Sequence, residues 1–282
     1  APGETGKDGN DGTSGTDGED GQDGTDGKDV TVDPALAPLD KAYVGVGGKD
    51  ALAALTSLQL TATGSNWVFG EGYETDDVGK FSTYAATVTQ DPATHGLQVD
   101  NQRKVTFFAG PVPLDYKEII KGNVGVTTGT VSILGYPSGP MTSDRWASSE
   151  KTHRLLNPQL ILKDVAAGTL TATDGGPAVY DGLLHHLLVI DDAVYPITLW
   201  VSAQTGKISK LATMEHDPVL RDVPLEVFYE GWQSSSDGVA YPIGVYLAKD
   251  DIILRQESRT AFTTNQAVPA TEFDFPAGAD PV

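Results

Sequence analysis

The chain has 282 residues, no cysteine, 32 glycines, and 19 basic against 39 acidic side chains, for a formal net charge of −20. The lack of cysteine excludes disulfide scaffolds, thiolate zinc sites, iron–sulfur clusters and cysteine nucleophiles. The acidity argues against a nucleic-acid partner, which needs a basic face, and against electrostatic docking on anionic lipid.

The first element is a glycine repeat. Gly3, Gly6, Gly9, Gly12, Gly15, Gly18, Gly21, Gly24 and Gly27 recur with a strict period of three, giving nine Gly-X-Y triplets over residues 3–29. Every third residue of a triple helix packs at a crowded axis where only glycine fits. Seven of the nine Y positions are Asp and none of the triplets contains proline. Such an arm lacks pre-set polyproline II character and is weak in isolation, so it reads either as an assembly arm that depends on partners or as a solvated spacer. Calcium binding by its aspartates is disfavoured, because a regular DG-x-DG run lacks the irregular ligand pattern of a calcium loop. The arm carries −7 of the charge and leaves −13 on the rest. The triplets GKD, GQD and GED resemble those of bacterial collagen-like surface proteins. The first residue is Ala rather than Met, consistent with removal of a signal peptide, and the expected setting is secreted, extracellular or at a cell surface.

Val30 to Leu39 reads as a proline-bearing linker, and Lys49 to Leu58 as the first helix, entered after Gly47 and Gly48. Alternating patterns then predict strands at Leu58–Thr63, Phe81–Thr89, Lys104–Phe108, Tyr116–Ile120 and Gly129–Leu134, separated by Gly, Asn, Asp and Pro. The period switches at Thr142–Arg154, with Ser143 as N-cap candidate, and at Pro158–Val165, with Gly168 as its stop. Strand patterns return at Thr169–Thr173, Ala178–Tyr180, Leu183–Ile190, Tyr195–Val201, Ile208–Met214, Leu225–Gly231, Val239–Leu247 and Ile252–Thr260. Their spacing of about ten residues indicates an antiparallel meander. The fold class is α+β and β-rich: a curved, half-barrel-like antiparallel sheet on a few helices, with an extended arm. The divisions are arm 1–29, linker 30–40, globular domain 41–276 and tail 277–282. No apolar run approaches the roughly 20 residues that span a bilayer.

Candidate chemistry is sparse. Asp191-Asp192 and Asp250-Asp251 are acidic doublets at predicted turns, where Asp bonds the backbone. His216, Asp217 and Asp222 could relay a proton or bind a metal, but their loop setting favours a structural role with Arg221 as carboxylate partner. His185 and His186 are adjacent in a strand and face opposite ways, so they cannot chelate one ion. Ser148-Ser149 and Ser234-Ser235-Ser236 lack a nucleophile elbow and read as helix surface and loop. Gly45-Val-Gly-Gly lacks the strand–GxGxxG–helix setting of a nucleotide site. Of the aromatics, Trp67 and Trp232, beside turns, are the candidates for ligand or interface contact; the others, Trp200, Tyr229 and Tyr246 among them, read as core. No metal, cofactor or catalytic residue is expected, and no enzyme activity.

Gly45–Trp67 (GVGGKDALAALTSLQLTATGSNW) and Thr205–Val245, with TGKI, DPVLRDVPLEV, YEGW and DGVAYP, resemble the domain that precedes the catalytic half of secreted bacterial metallo-β-lactamase-fold hydrolases. The likeness covers residues 41–276 and implies a lipoprotein-carrier-like half-barrel. The zinc pattern HxHxDH of the catalytic half does not occur, and the chain stops about where that half would begin. Three functions follow: self-association through the arm into an oligomer such as a trimer or a filament; an accessory or substrate-binding domain of such a hydrolase; or a carrier of a lipid or other small apolar ligand.

Overall fold

The computed structural model describes residues 31–69, 78–107, 110–129, 139–217, 221–277 and 279. The Gly-X-Y arm lies outside them, as do Phe108 and residues 130–134 of the expected Gly129–Leu134 strand.

The thirteen described strands form one antiparallel sheet. A first meander holds β1 (Leu58–Phe69), β2 (Val78–Asp91), β3 (Gly96–Phe107), β4 (Gly110–Lys121), β5 (Val124–Gly129) and β6 (Gly139–Pro140). A second holds β7 (Thr171–Tyr180), β8 (Leu183–Asp191), β9 (Ile197–Ser202), β10 (Ile208–Asp217), β11 (Arg221–Ser234), β12 (Ala240–Lys249) and β13 (Ile252–Thr264). Strands β1 and β13 pair along most of their length and join the two wings at the centre. The order is β6-β5-β4-β3-β2-β1-β13-β12-β11-β10-β9-β8-β7.

The four described helices cover one face: α1 (Pro38–Gly45), α2 (Lys49–Ala53), α3 (Ser143–Leu155) and α4 (Pro158–Ala167). Helix α3 touches β5, α1 touches β7, β8 and β9, and α4 touches both α2 and α3. Strands β5 and β8 stand ten places apart in the order, about 48 Å if the sheet were flat. A layer of short helices reaches both, so the sheet curls around it. This is the curved, open, β-rich architecture expected from the sequence.

Two apolar clusters fill the interior. One lies under the second wing, with Leu188, Leu199, Leu211, Val227 and Val245 against α1 and Ile161 and Leu162 of α4. The other lies under the first wing, with Leu58, Leu60, Val88, Leu97 and Ile120 beside Leu55 and Leu160.

The main departures from the expected elements are local. Helix α1 begins at Pro38, inside the stretch read as linker, because proline fits a helix's first turn. Helix α2 ends at Ala53, and the chain is already extended at Leu58. The N-cap of α3 is Thr142, whose Oγ1 accepts from Arg145 N, rather than Ser143. The expected strands Thr169–Thr173 and Ala178–Tyr180 are parts of one strand, β7, that begins at Thr171 and has a register shift between Asp174 and Gly176.

The two ends of the resemblance meet in space. A Cβ on Gly45 would lie 2.0 Å from Gly206 O, and one on Gly47 would lie 2.1 Å from Gly238 O. The Gly-Val-Gly-Gly turn therefore seats α1 against the TGK turn of β9–β10 and the DGV turn of β11–β12. Val32 N donates to Gln204 O, and Ala240 N to Val46 O, at the same seams. The role of these glycines is close backbone packing.

Candidate functional site

The unusual part of the sheet is its centre. On β13, Arg255, Glu257 and Arg259 alternate, so all three face the helices. A register shift opposite Thr61 and Ala62 then changes the phase and returns Phe262 to the inside as well. Glu257 is 3 % exposed and Arg259 5 %. Buried charges require partners, and these have them. Arg255 donates through Nη2 to Glu257 Oε2 at 2.7 Å, and Arg259 through Nε to Glu257 Oε1 at 3.2 Å.

Tyr84 completes the cluster from two strands away. Gly64 of β1 lies between Tyr84 of β2 and Glu257 of β13 in the register. With no side chain at Gly64, the tyrosine ring crosses β1. Its hydroxyl donates to Glu257 Oε2 at 3.0 Å and accepts from Arg255 Nε at 2.9 Å. A Cβ at position 64 would meet Tyr84 Oη at 2.5 Å and Gln256 O at 2.4 Å.

The same row holds the end of α3. Arg259 Nη2 donates to Leu156 O at 2.6 Å, and the Tyr229 hydroxyl donates to Leu155 O. Terminal helix carbonyls lack intrahelical partners and carry partial negative charge, so a guanidinium there serves both needs.

Helix α3 supplies the opposite wall. Arg145, Ser148, Ser149, Thr152 and His153 follow helical spacing and form one polar stripe facing the sheet. Between that stripe and β1–β4 lies a cleft of about 310 Å³. Its sheet side includes Asn66, Asn101, Arg103, Tyr116 and Glu118, with Tyr84 and Arg255 as floor. Arg145 Nη2 donates to Glu118 Oε1 at 3.1 Å and Ser149 Oγ to Glu118 Oε2 at 2.9 Å. Arg103 Nε donates to Ser82 Oγ at 2.8 Å, and its guanidinium lies over the Phe81 ring.

Protonation states follow from burial and these charges. Burial alone would raise the Glu257 carboxyl, but Arg255 and Arg259 outweigh it and bring it to about 2. Burial lowers His153 to about 3, assisted by Arg255 and Arg259 against Glu257, so the ring is neutral near pH 7. Burial, with Glu118, raises Tyr116, and burial also raises Tyr84, so both hydroxyls keep their protons. The lining holds three guanidiniums, Arg103, Arg145 and Arg255, against one carboxylate, Glu118.

The sequence candidates fall largely elsewhere. Trp232 is part of the second wing: Nε1 donates to Ile208 O at 3.2 Å, and the ring meets Tyr229 edge-on. Trp67 is half-buried on β1 just past a register shift and is not among the residues lining the cleft. Asp250 and Asp251 both have positive φ and form the two-residue β12–β13 turn. Asp192 is held by Arg154 Nη1 at 3.2 Å, and the same arginine reaches Asp164 of α4 at 2.9 Å. His185 is buried, with Nε2 2.8 Å from Ser209 Oγ, whereas His186 lies on the other face.

Two expectations are corrected. The partners of Asp222 are His216, 2.9 Å away, and the Tyr195 hydroxyl, 3.0 Å away, in place of Arg221; hydrogen bonds from His216 and then Tyr195 lower its carboxyl pKa. The side chain of Asp217 lies outside the described residues. Ser148 and Ser149 line the cleft and are not plain helix surface, because α3 turns a polar stripe inward. Among the described residues, no group of three or more His, Asp or Glu could hold a metal ion, and no helix is long and apolar enough to cross a membrane.

Fold and site together define an open antiparallel sheet curled over helices, with a polar cleft between its first wing and α3. No family model matches the chain, and no curated protein does. Solved structures similar to it include a DUF1329 family protein from Desulfovibrio piger, 12 % identical at a TM-score of 0.46, covering 86 % of this chain and 98 % of that one. A putative outer membrane lipoprotein-sorting protein domain from Vibrio parahaemolyticus is 7 % identical at a TM-score of 0.47, covering 84 % and 94 %. Both scores are below 0.5, so the fold rests on this chain's own strand order, and neither likeness bears on function or on a hydrolase association.

Proposed function

We propose that the body is a small-molecule binding module and that the Gly-X-Y arm joins copies of it in an extracellular or periplasmic setting. The observation that carries the binding half is the cleft between α3 and β1–β4, whose polar walls are already fixed by hydrogen bonds. Preformed concave sites with a few oriented polar groups are the usual ligand sites. The assembly half rests on the unbroken glycine period. Of the alternatives, carriage of a lipid fits less well, since the apolar clusters are occupied by their own side chains and the cleft is lined mainly by polar ones.

Native mass spectrometry of the full chain tests both halves. The reading expects multiples of the monomer mass that collapse when residues 1–29 are removed, and uptake of a small molecule that persists in the shortened chain. A bare monomer at every concentration would remove the assembly role. Failure to take up any member of a broad ligand panel would remove the binding role.

A further inference from the structure

We infer that the ligand of this cleft is an anion, a small molecule bearing a carboxylate or phosphate group that the arginines engage; this rests on the binding role proposed above. The chain carries −20 overall, yet the cleft concentrates positive charge. Arg103, Arg145 and Arg255 line it against Glu118. At its floor Glu257 is shared between Arg255 and Arg259, so these three groups together leave one positive charge. His153 is neutral and adds no charge of either sign.

These guanidiniums are held in place. Arg255 is fixed by Tyr84 and Glu257, Arg103 by Ser82 and Phe81, and Arg145 by Glu118. The side chains of Arg145 and Arg255 are 25 % and 18 % exposed, so water screens them only in part. The planar fork of arginine matches carboxylate and phosphate oxygens in two-point contacts. The Tyr116 hydroxyl and the amides of Asn66 and Asn101 add donors to the lining. The acidic surface elsewhere repels anions, which favours the cleft over nonspecific sites. The volume of about 310 Å³ limits the ligand to a compact molecule.

Isothermal titration of the full chain with glycerol 3-phosphate, succinate and decanol, at low and moderate salt, tests this. The inference expects one or both anions to bind, more weakly as salt rises, and the better of the two identifies the phosphate or carboxylate source. Arg103→Gln should weaken that binding by about tenfold or more, with Arg103→Lys intermediate. Asn101→Asp, which adds an opposing charge without removing volume, should weaken it as well and guards against misfolding of the arginine variant. Decanol uptake unaffected by Arg103→Gln, with neither anion bound, would overturn the anion inference while leaving the binding role. Binding of none of the three, with none from the broader panel, would overturn both. Anion binding unchanged in both Arg103→Gln and Asn101→Asp would place the anion outside this cleft and overturn the inference.

Discussion

Gly64 is the residue on which the central cluster turns. Its missing side chain lets Tyr84 reach Glu257 across an intervening strand. Gly64→Ala would force the ring or the backbone of β13 aside, and we expect a loss of about 1–3 kcal/mol, the usual range for overpacking. Thermal unfolding checks it, with Gly79→Ala as control, since a Cβ at Gly79 meets nothing within 4 Å.

The same cluster makes stability depend on acid. An unfolded chain protonates His153 near its ordinary 6.5, whereas the folded chain does so only near 3. The contribution is full above 6.5 and is lost as pH falls toward 3. Glu257 is ionised down to about 2 when folded and to about 4.5 when unfolded, so its contribution is lost between 4.5 and 2. Urea midpoints measured from pH 7 to 4.5 should fall, with His153 contributing a slope of up to about 1.4 kcal/mol per pH unit. His153→Gln should be distinctly flatter over that range; an unchanged slope would count against a neutral buried ring.

At the scale of elements, glycines set how closely α1 approaches the second wing. Gly45→Ala would drive a Cβ into the backbone at Gly206. Helix α1 should then lift from the β9–β10 turn at a cost of about 1–3 kcal/mol. Faster hydrogen exchange at Val32, whose amide bonds Gln204 O across this seam, would locate the damage.

Most strands and the later helices were legible because turn residues and periodicity mark them, whereas β5 and β6 were not among the expected strands. Pro158 and Gly168 bracket α4, and Asp250-Asp251 forms the tight turn its composition suggests. Helix α1 was hidden by Pro38, which reads as a breaker unless the residues after it are known to be buried. The site was harder to see for a related reason. Its wall on α3 is a stripe of polar residues at helical spacing, and a search for apolar periodicity passes over it. Two signals were present: the alternation Arg255, Glu257, Arg259 within a strand, and the isolated Gly64 within another. Each gains meaning only when β1 and β13, almost 200 residues apart, are known to pair.

At the scale of the molecule, pairing of the first and last strands turns two meanders into one curled sheet and brings α3 over its centre. The proposed role of the glycine arm, joining copies of this body, is separate from the role of the cleft. Removal of residues 1–29 should therefore leave the urea midpoint of the body nearly unchanged while abolishing association, as read by light scattering on a size-exclusion column.

The central claim is that the cleft over Tyr84, Arg255 and Glu257 is a preformed anion site. A crystal structure with glycerol 3-phosphate or succinate diffused in tests it most directly. The account predicts the anionic group between Arg103 and the α3 stripe, with the Tyr84–Glu257–Arg255 contacts unchanged. An empty cleft at saturating ligand, or an anion bound only elsewhere on the surface, would contradict it.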